Sequence, residues 1–273
     1  MIKKIVLICA IISTAIIFNA CKSKSITEPN NTTVSGDFFP NGDGTTYKYN
    51  TVQTDSNGTQ TSGTRSTTYS GTTVVNGSTF QNQIDTITVS GFSTVAHSFF
   101  LKASSSTGSS VEYELDTTGL YLFIPPTYMP YVQLDSLLRL LQTPFHDGGS
   151  WTVFNLSLKI SLGGGTSITF NPVNVMAYYE GMEQVPLNLV TGNVTENAAK
   201  IKYVLKLQIP NPQNPLVTPP ALTYNAYAWF VSGIGIIQLK GNEAILGAFS
   251  GNGINFGDTT ATVTQSLVSY KIK

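Results

Sequence analysis

Charge, sulfur and imidazole are all scarce in this chain. Of 273 residues only 11% are charged, with 15 Lys and Arg against 15 Asp and Glu, where an ordinary globular domain has about a quarter. So balanced a chain has no basic footprint for nucleic acid, which is not expected as a partner. Histidine occurs twice, at His97 and His146, far apart in sequence. A zinc site needs several closely spaced His, Cys or acidic ligands, and a serine triad needs a nucleophile, a base and an orienting acid in reach. No Gly-x-Ser-x-Gly elbow is present, and the acid beside His146 is only its chain neighbour Asp147. No metal, no cofactor and no catalytic centre are therefore expected. Long apolar runs are missing too. Residues 5–18 fall short of the roughly 20 apolar residues that cross a bilayer, and Ser13 and Thr14 interrupt them.

What is present begins at the N-terminus. Lys3 and Lys4, the short apolar run and the small Ala20 form a secretory signal peptide over residues 1–20. The next residue is Cys21, and this junction resembles the lipobox of bacterial lipoproteins. The resemblance implies that the Cys21 thiol is acylated, with palmitate among its chains, and that the cysteine becomes the new N-terminus. Each buried CH₂ contributes about 0.8 kcal/mol, and stable anchoring takes two or more chains. The membrane is then the first partner. Lys22, where an aspartate would signal inner-membrane retention, points to the outer membrane of a bacterial cell envelope. Cys9 leaves with the signal and Cys21 is acylated, so no disulfide forms within one chain. The mature chain keeps 13 basic and 15 acidic residues, a net charge of −2.

Residues 21–36 are rich in Ser, Asn and Thr and read as a flexible tether. From residue 37 to 273 the chain reads as a β domain. Phe154, Leu156, Leu158, Ile160 and Leu162 alternate with polar residues. Ile201, Tyr203, Leu205, Leu207 and Ile209 alternate with Lys202, Val204, Lys206 and Gln208, and Val268, Tyr270 and Ile272 with Ser269 and Lys271 near the end. A strand sends successive side chains to opposite faces, so each has one dry and one wet face. Antiparallel sheets tolerate that arrangement and parallel ones rarely do. Asn57-Gly58 and Asn76-Gly77 suit tight type I′ hairpins, and Gly163-Gly164-Gly165 joins a third. The expected fold is mainly β: a strongly curved antiparallel sheet, as a meander or half-barrel, of about ten to thirteen strands.

One segment departs from that pattern. In residues 131–142, Leu134, Leu137, Leu138 and Leu141 fall at i, i+3, i+4 and i+7, the stripe of a short amphipathic helix. Asp135 and Arg139 are four apart and can pair on its outer side. The helix is expected either to plug one face of the sheet or to act as a lid over an apolar cavity. Those four leucines, with Trp151 and Trp229, are the candidate lining of a core or an apolar-ligand site. Residues 222–239 are apolar on both faces and read as a covered central strand followed by a bend at Gly233-Ile234-Gly235. Residues 210–220 form a proline-rich loop. Glu112 and Glu114 share one strand face, with Val111, Tyr113 and Leu115 inward, and read as solvated. Asn41 to Asp43 and Asp55 to Asn57 read as turns, since neither calcium-like start has the Glu that would complete a loop.

Several motifs together resemble a family of uncharacterised bacterial exported lipoproteins. They are Phe39-Pro40 with Gly44, Tyr47 and Tyr49; Pro144-Phe145 with Gly148 and Trp151; and Trp229-Phe230 with Gly233-Ile234-Gly235. The resemblance implies a strongly curved, mostly antiparallel sheet and no assigned activity. The two Gly-x-x-aromatic openings also point to a pseudo-repeat with halves 37–128 and 144–273. The functional expectation is a membrane-anchored, non-catalytic binding or structural module whose ligand is a protein, a glycan or a lipid. The alternative is a carrier or chaperone for a lipid or other apolar ligand, enclosed by the curved sheet.

Overall fold

A computed structural model describes residues 33–105, 108–114, 130–135, 137–163, 166–208, 220–250 and 260–273. The signal peptide, Cys21, most of the tether and the loop at 209–219 lie outside the described residues. The strands are β1 (Thr33–Val34), β2 (Thr46–Thr54), β3 (Gln60–Val75), β4 (Ser78–Val89), β5 (Phe92–Ser105), β6 (Gly108–Glu114), β7 (Val132–Leu134) and β8 (Leu137–Thr143). They continue as β9 (Phe145–His146), β10 (Ser150–Gly163), β11 (Thr166–Leu189), β12 (Gly192–Leu207), β13 (Leu222–Val231), β14 (Gly235–Asn242) and β15 (Thr262–Lys271). A single helical turn, α1 (Glu243–Leu246), continues into a 3-10 turn, Gly247–Ser250.

Thirteen strands form one antiparallel sheet in the order β7-β10-β11-β12-β13-β14-β15-β2-β3-β4-β5-β6-β8. Hairpins link β2 through β6, and the run β10 through β15 is likewise sequential. The two runs meet where β15 pairs with β2, from Thr262↔Thr54 to Lys271↔Thr46. The expected alternation appears in the middle of the sheet. Phe154, Leu156 and Leu158 are buried, as are Ile201, Tyr203, Leu205 and Leu207. In β15 the dry face is Val263, Gln265 and Leu267; a bulge at Val268 then shifts the pairing, so that Tyr270 falls opposite the buried Tyr47. Asn76 and Gly77, both at positive φ (52° and 80°), make the two-residue turn between β3 and β4. The loop at Asn57-Gly58 is not a two-residue turn. It spans the gap between Thr54 and Gln60, organised by Asp55, whose Oδ1 accepts from the Asn57 and Thr59 amides.

The sheet curls until its edges approach but is not closed. Its two edge strands, β7 and β8, are consecutive in the chain. Asp135, in the link between them, bonds to β10: its Oδ2 accepts from the Asn155 amide at 3.1 Å. The Trp151 indole donates to the Arg139 carbonyl (3.0 Å) and the Tyr203 hydroxyl to the Leu140 carbonyl (2.7 Å). These side-chain bonds, rather than a backbone ladder, hold β8 near the far end of the sheet.

The expected helix at 131–142 is not formed. The segment is two strands, β7 and β8, separated at 135–136. A bulge in β8 places Leu138, Leu140 and Leu141 all inward, because Val111 faces Leu141 while Glu112 faces Arg139. Broken strands plus a bulge reproduce helical spacing by coincidence. Arg139 pairs with Glu112 (3.0 Å), not with Asp135. The element that fills the concave side is α1 with the 3-10 turn. Asn242 caps it, accepting from the Ala244 amide at 3.1 Å, and Ala244, Ile245, Leu246 and Phe249 are buried. The Phe249 ring meets Tyr203 edge-on at 5.2 Å.

The folded unit starts at Thr33, within the stretch expected to be tether, because β1 pairs with β9. Phe38 and Phe39 then enter the core. Phe39 packs on Phe100 (5.4 Å) and Tyr69 (6.1 Å), while Phe38 meets Phe145 (4.8 Å), which stacks on Tyr179 (5.1 Å).

Candidate functional site

The six candidate lining residues do not gather around one space. Leu138, Leu141 and Trp151 are core residues, Leu134 packs at the core's edge, and Leu137 lines an outer groove. Trp229 is buried and belongs to the core cluster too, on the face of β13 that also carries Tyr227. Two interior cavities lined by described residues measure about 10 Å³ each, room for no more than one water. A carrier of an apolar ligand needs several hundred Å³, and the space between Tyr203, Ile245 and Phe249 does not offer it. The groove at the seam, about 320 Å³, is shallow and polar, lined by Glu112, Asp135, Arg139 and Thr152 with Leu137 and Val153. His97 lies exposed on β5, and His146 lies exposed on β9 with its Nδ1 3.1 Å from the Thr33 hydroxyl. Val111 and Tyr113 face inward as expected, with Glu112 and Glu114 on the other face. Among the described residues no three His, Cys, Asp or Glu side chains could hold a metal ion.

The concave side holds a polar cluster that local pattern did not reveal. Arg65 on β3 is fully enclosed. Its Nε donates to Asp85 (2.7 Å), its Nη1 to Gln265 (2.9 Å) and its Nη2 to the Phe249 carbonyl. Asp85 also accepts from Thr67 and Gln83, and Gln83 reaches the same Phe249 carbonyl at 3.2 Å. The guanidinium lies 5.4 Å from the Tyr49 ring. Burial opposes its charge, but Asp85 holds the guanidinium protonated beyond its ordinary range. Each guanidinium nitrogen has an acceptor, which favours tolerance of a buried ion pair. The cluster thus ties β3, β4 and β15 to the element that fills the concavity.

The convex side is different in chemistry. Residues facing out from β11 to β14 are read from the ladder register. Tyr178 lies opposite Lys202, Lys202 opposite Tyr227, and Tyr227 opposite Lys240. The result is one row, ring–ammonium–ring–ammonium, across four adjacent strands. Lys206 is exposed farther along β12. Above the row, Lys200 lies over the rings of Tyr227 (5.3 Å) and Trp229 (5.5 Å). Glu183 bonds Lys200 at 3.1 Å and accepts from the Trp229 indole at 3.2 Å, and Glu180 lies 3.7 Å from Lys200. The Trp229 hydrogen bond, then Lys200, keep the Glu183 carboxyl below its usual range. Burial works against the Lys200 charge, yet Glu183 and Glu180 raise its affinity for the proton overall. Among the described residues no carboxylate lies within ion-pair distance of Lys202, Lys206 or Lys240. The near-neutral chain therefore concentrates uncompensated positive charge here, interleaved with aromatic rings.

No family model matches the chain, and no curated protein matches it. Two solved structures resemble it. One, from Bacteroides fragilis, is described as a "putative exported protein with YmcC-like fold". It is 14% identical with a TM-score of 0.42, over 87% of this chain and 100% of that one. The other, from Parabacteroides distasonis, is described as a "putative lipoprotein". It is 10% identical with a TM-score of 0.41, over 86% of this chain and 99% of that one. Neither likeness brings a ligand or an activity to this chain.

Proposed function

We propose that this protein is a lipid-anchored, non-catalytic binding module of the bacterial cell envelope, held through an acylated Cys21 and engaging its partner with the convex face of β11 to β14. The observation behind it is the contrast between the two faces. The concave side is occupied by α1, Phe249 and the Arg65 cluster, whereas the convex side carries the exposed Tyr178 and Lys240 and the half-buried Lys202 and Tyr227, with no carboxylate among the described residues within ion-pair distance of either lysine. The interior cavities lined by described residues hold no more than a water each, which favours binding on the outside. The signal segment and the Ala20-Cys21 junction supply the address, and Lys22 favours the outer membrane.

The anchor is tested by fractionating cells that express the wild type or Cys21→Ser after feeding an alkyne fatty acid. The wild type takes up label and partitions with detergent-extracted membranes, and the variant does neither. Unchanged membrane retention of Cys21→Ser overturns the anchor. The binding face is tested by retention of isolated envelope material on immobilised mature protein. Retention falls when Tyr178, Lys202, Tyr227 and Lys240 are replaced together by Ser, and equal retention overturns the assignment of that face.

A further inference from the structure

We infer that the convex row binds an acidic polysaccharide in which charged and uncharged sugars alternate. This rests on the convex face being the binding surface. Adjacent strands lie about 4.8 Å apart, so Tyr178 on β11 and Tyr227 on β13 repeat at two strand spacings, about 10 Å. Lys202 on β12 and Lys240 on β14 repeat at the same interval, offset by one strand. A disaccharide unit of an extended glycan has that length. One sugar can then lay its C–H face on the exposed Tyr178 ring while its neighbour's carboxylate meets Lys202, and the next sugar meets the edge and hydroxyl of Tyr227, whose ring lies beneath Lys200. Tyrosine suits such a site because it offers an apolar body and a polar tip. Asn225 and Thr223, outward on β13, and Asn174, opposite Lys206 on β11, add neutral groups for sugar hydroxyls on the same face.

Other anionic or apolar partners fit less well. A membrane surface is met by side chains that insert, and the most exposed apolar ones among the described residues, Phe92 (81%) and Val190 (82%), are at hairpin ends rather than in the row. Tyr227 is half-buried and lies beneath Lys200, so its ring cannot plunge into acyl chains. A protein partner calls for an apolar patch that buries a dry centre, which alternating lysines would interrupt.

The test uses the mature chain with hyaluronan oligosaccharides, in which every second sugar bears a carboxylate. Dextran, heparin and phosphatidylglycerol vesicles serve as comparison probes, read by affinity electrophoresis and calorimetry. Hyaluronan is expected to bind and dextran not to. Tyr178→Ala, Lys202→Gln and Lys240→Gln are each expected to weaken hyaluronan about tenfold, about 1.4 kcal/mol, with the thermal melt unchanged, and Tyr227→Phe, which keeps the packed ring and removes the hydroxyl, is expected to weaken it as well. Three results overturn the inference: no binding of hyaluronan, equal binding when both tyrosines are replaced, or vesicles binding as tightly as hyaluronan through the same lysines. Tighter heparin binding that survives loss of both tyrosines marks unspecific charge attraction and also overturns it. If envelope material is still retained by this face while hyaluronan is not, the inference fails and the binding module of the preceding section stands.

Discussion

Arg65 sits at a chemical extreme of this molecule, an ion enclosed among strands whose inward residues are mostly rings. Replacing it with Met leaves Asp85 without its cation in a dry site, and breaking a buried pair in this way costs about 3–5 kcal/mol. Urea unfolding of Arg65→Met is expected to show that loss. The double variant Arg65→Met/Asp85→Leu is expected to lose less than the single one, because no orphan charge remains. Four buried phenols supply a second residue-scale expectation. Tyr47, Tyr49, Tyr69 and Tyr203 donate to Pro40, Ile236, Gln83 and Leu140, respectively, and burial pushes all four above the ordinary phenol range. In the unfolded chain they ionise near pH 10. Above that pH the folded state holds more protons than the unfolded one, so stability is intact below about pH 10 and falls as pH rises. Absorbance of tyrosinate should therefore rise in two stages, exposed phenols first and these four only as circular dichroism collapses. A single stage with the fold intact would contradict it.

At the scale of elements, α1 and its 3-10 turn do the work that the sequence pattern assigned to residues 131–142. Phe249→Ala is expected to cost about 3–5 kcal/mol, since it removes a fully buried ring. Leu134→Ala, at a half-covered edge strand, should cost far less, and comparable losses in thermal melts would show that the concave filler is misidentified. Long alternating runs such as Phe154 to Leu158 and Ile201 to Leu207 were legible because each forms its own period-2 signal. Bulges were not, since one extra residue such as Leu140 or Val268 changes which side chains face inward without changing composition. The Arg65 cluster was also hidden. Its inward row on β3, Arg65, Thr67 and Tyr69, is too polar to look dry, and its partners Phe249 and Gln265 are 184 and 200 residues away. The convex row leaves no local signal for a related reason: its four members come from four strands, and only the ladder register brings them together.

For the molecule as a whole, the body was legible as a curved antiparallel sheet but its outer surface was not. Alternation within one strand is a local signal, whereas the make-up of an outer surface depends on how strands are laid side by side. The pairing of β15 with β2 has a consequence for how the chain is made. This central ladder joins residues separated by most of the polypeptide, the kind of contact that sets slow, topology-limited folding. A chain emerging amino end first can fold its early hairpins one by one, but β2 has no neighbour on one flank until residues 262–271 arrive. Assembly of the body is thus withheld until synthesis is nearly finished, leaving a long interval in which the polypeptide is still slack enough to be threaded through a narrow channel.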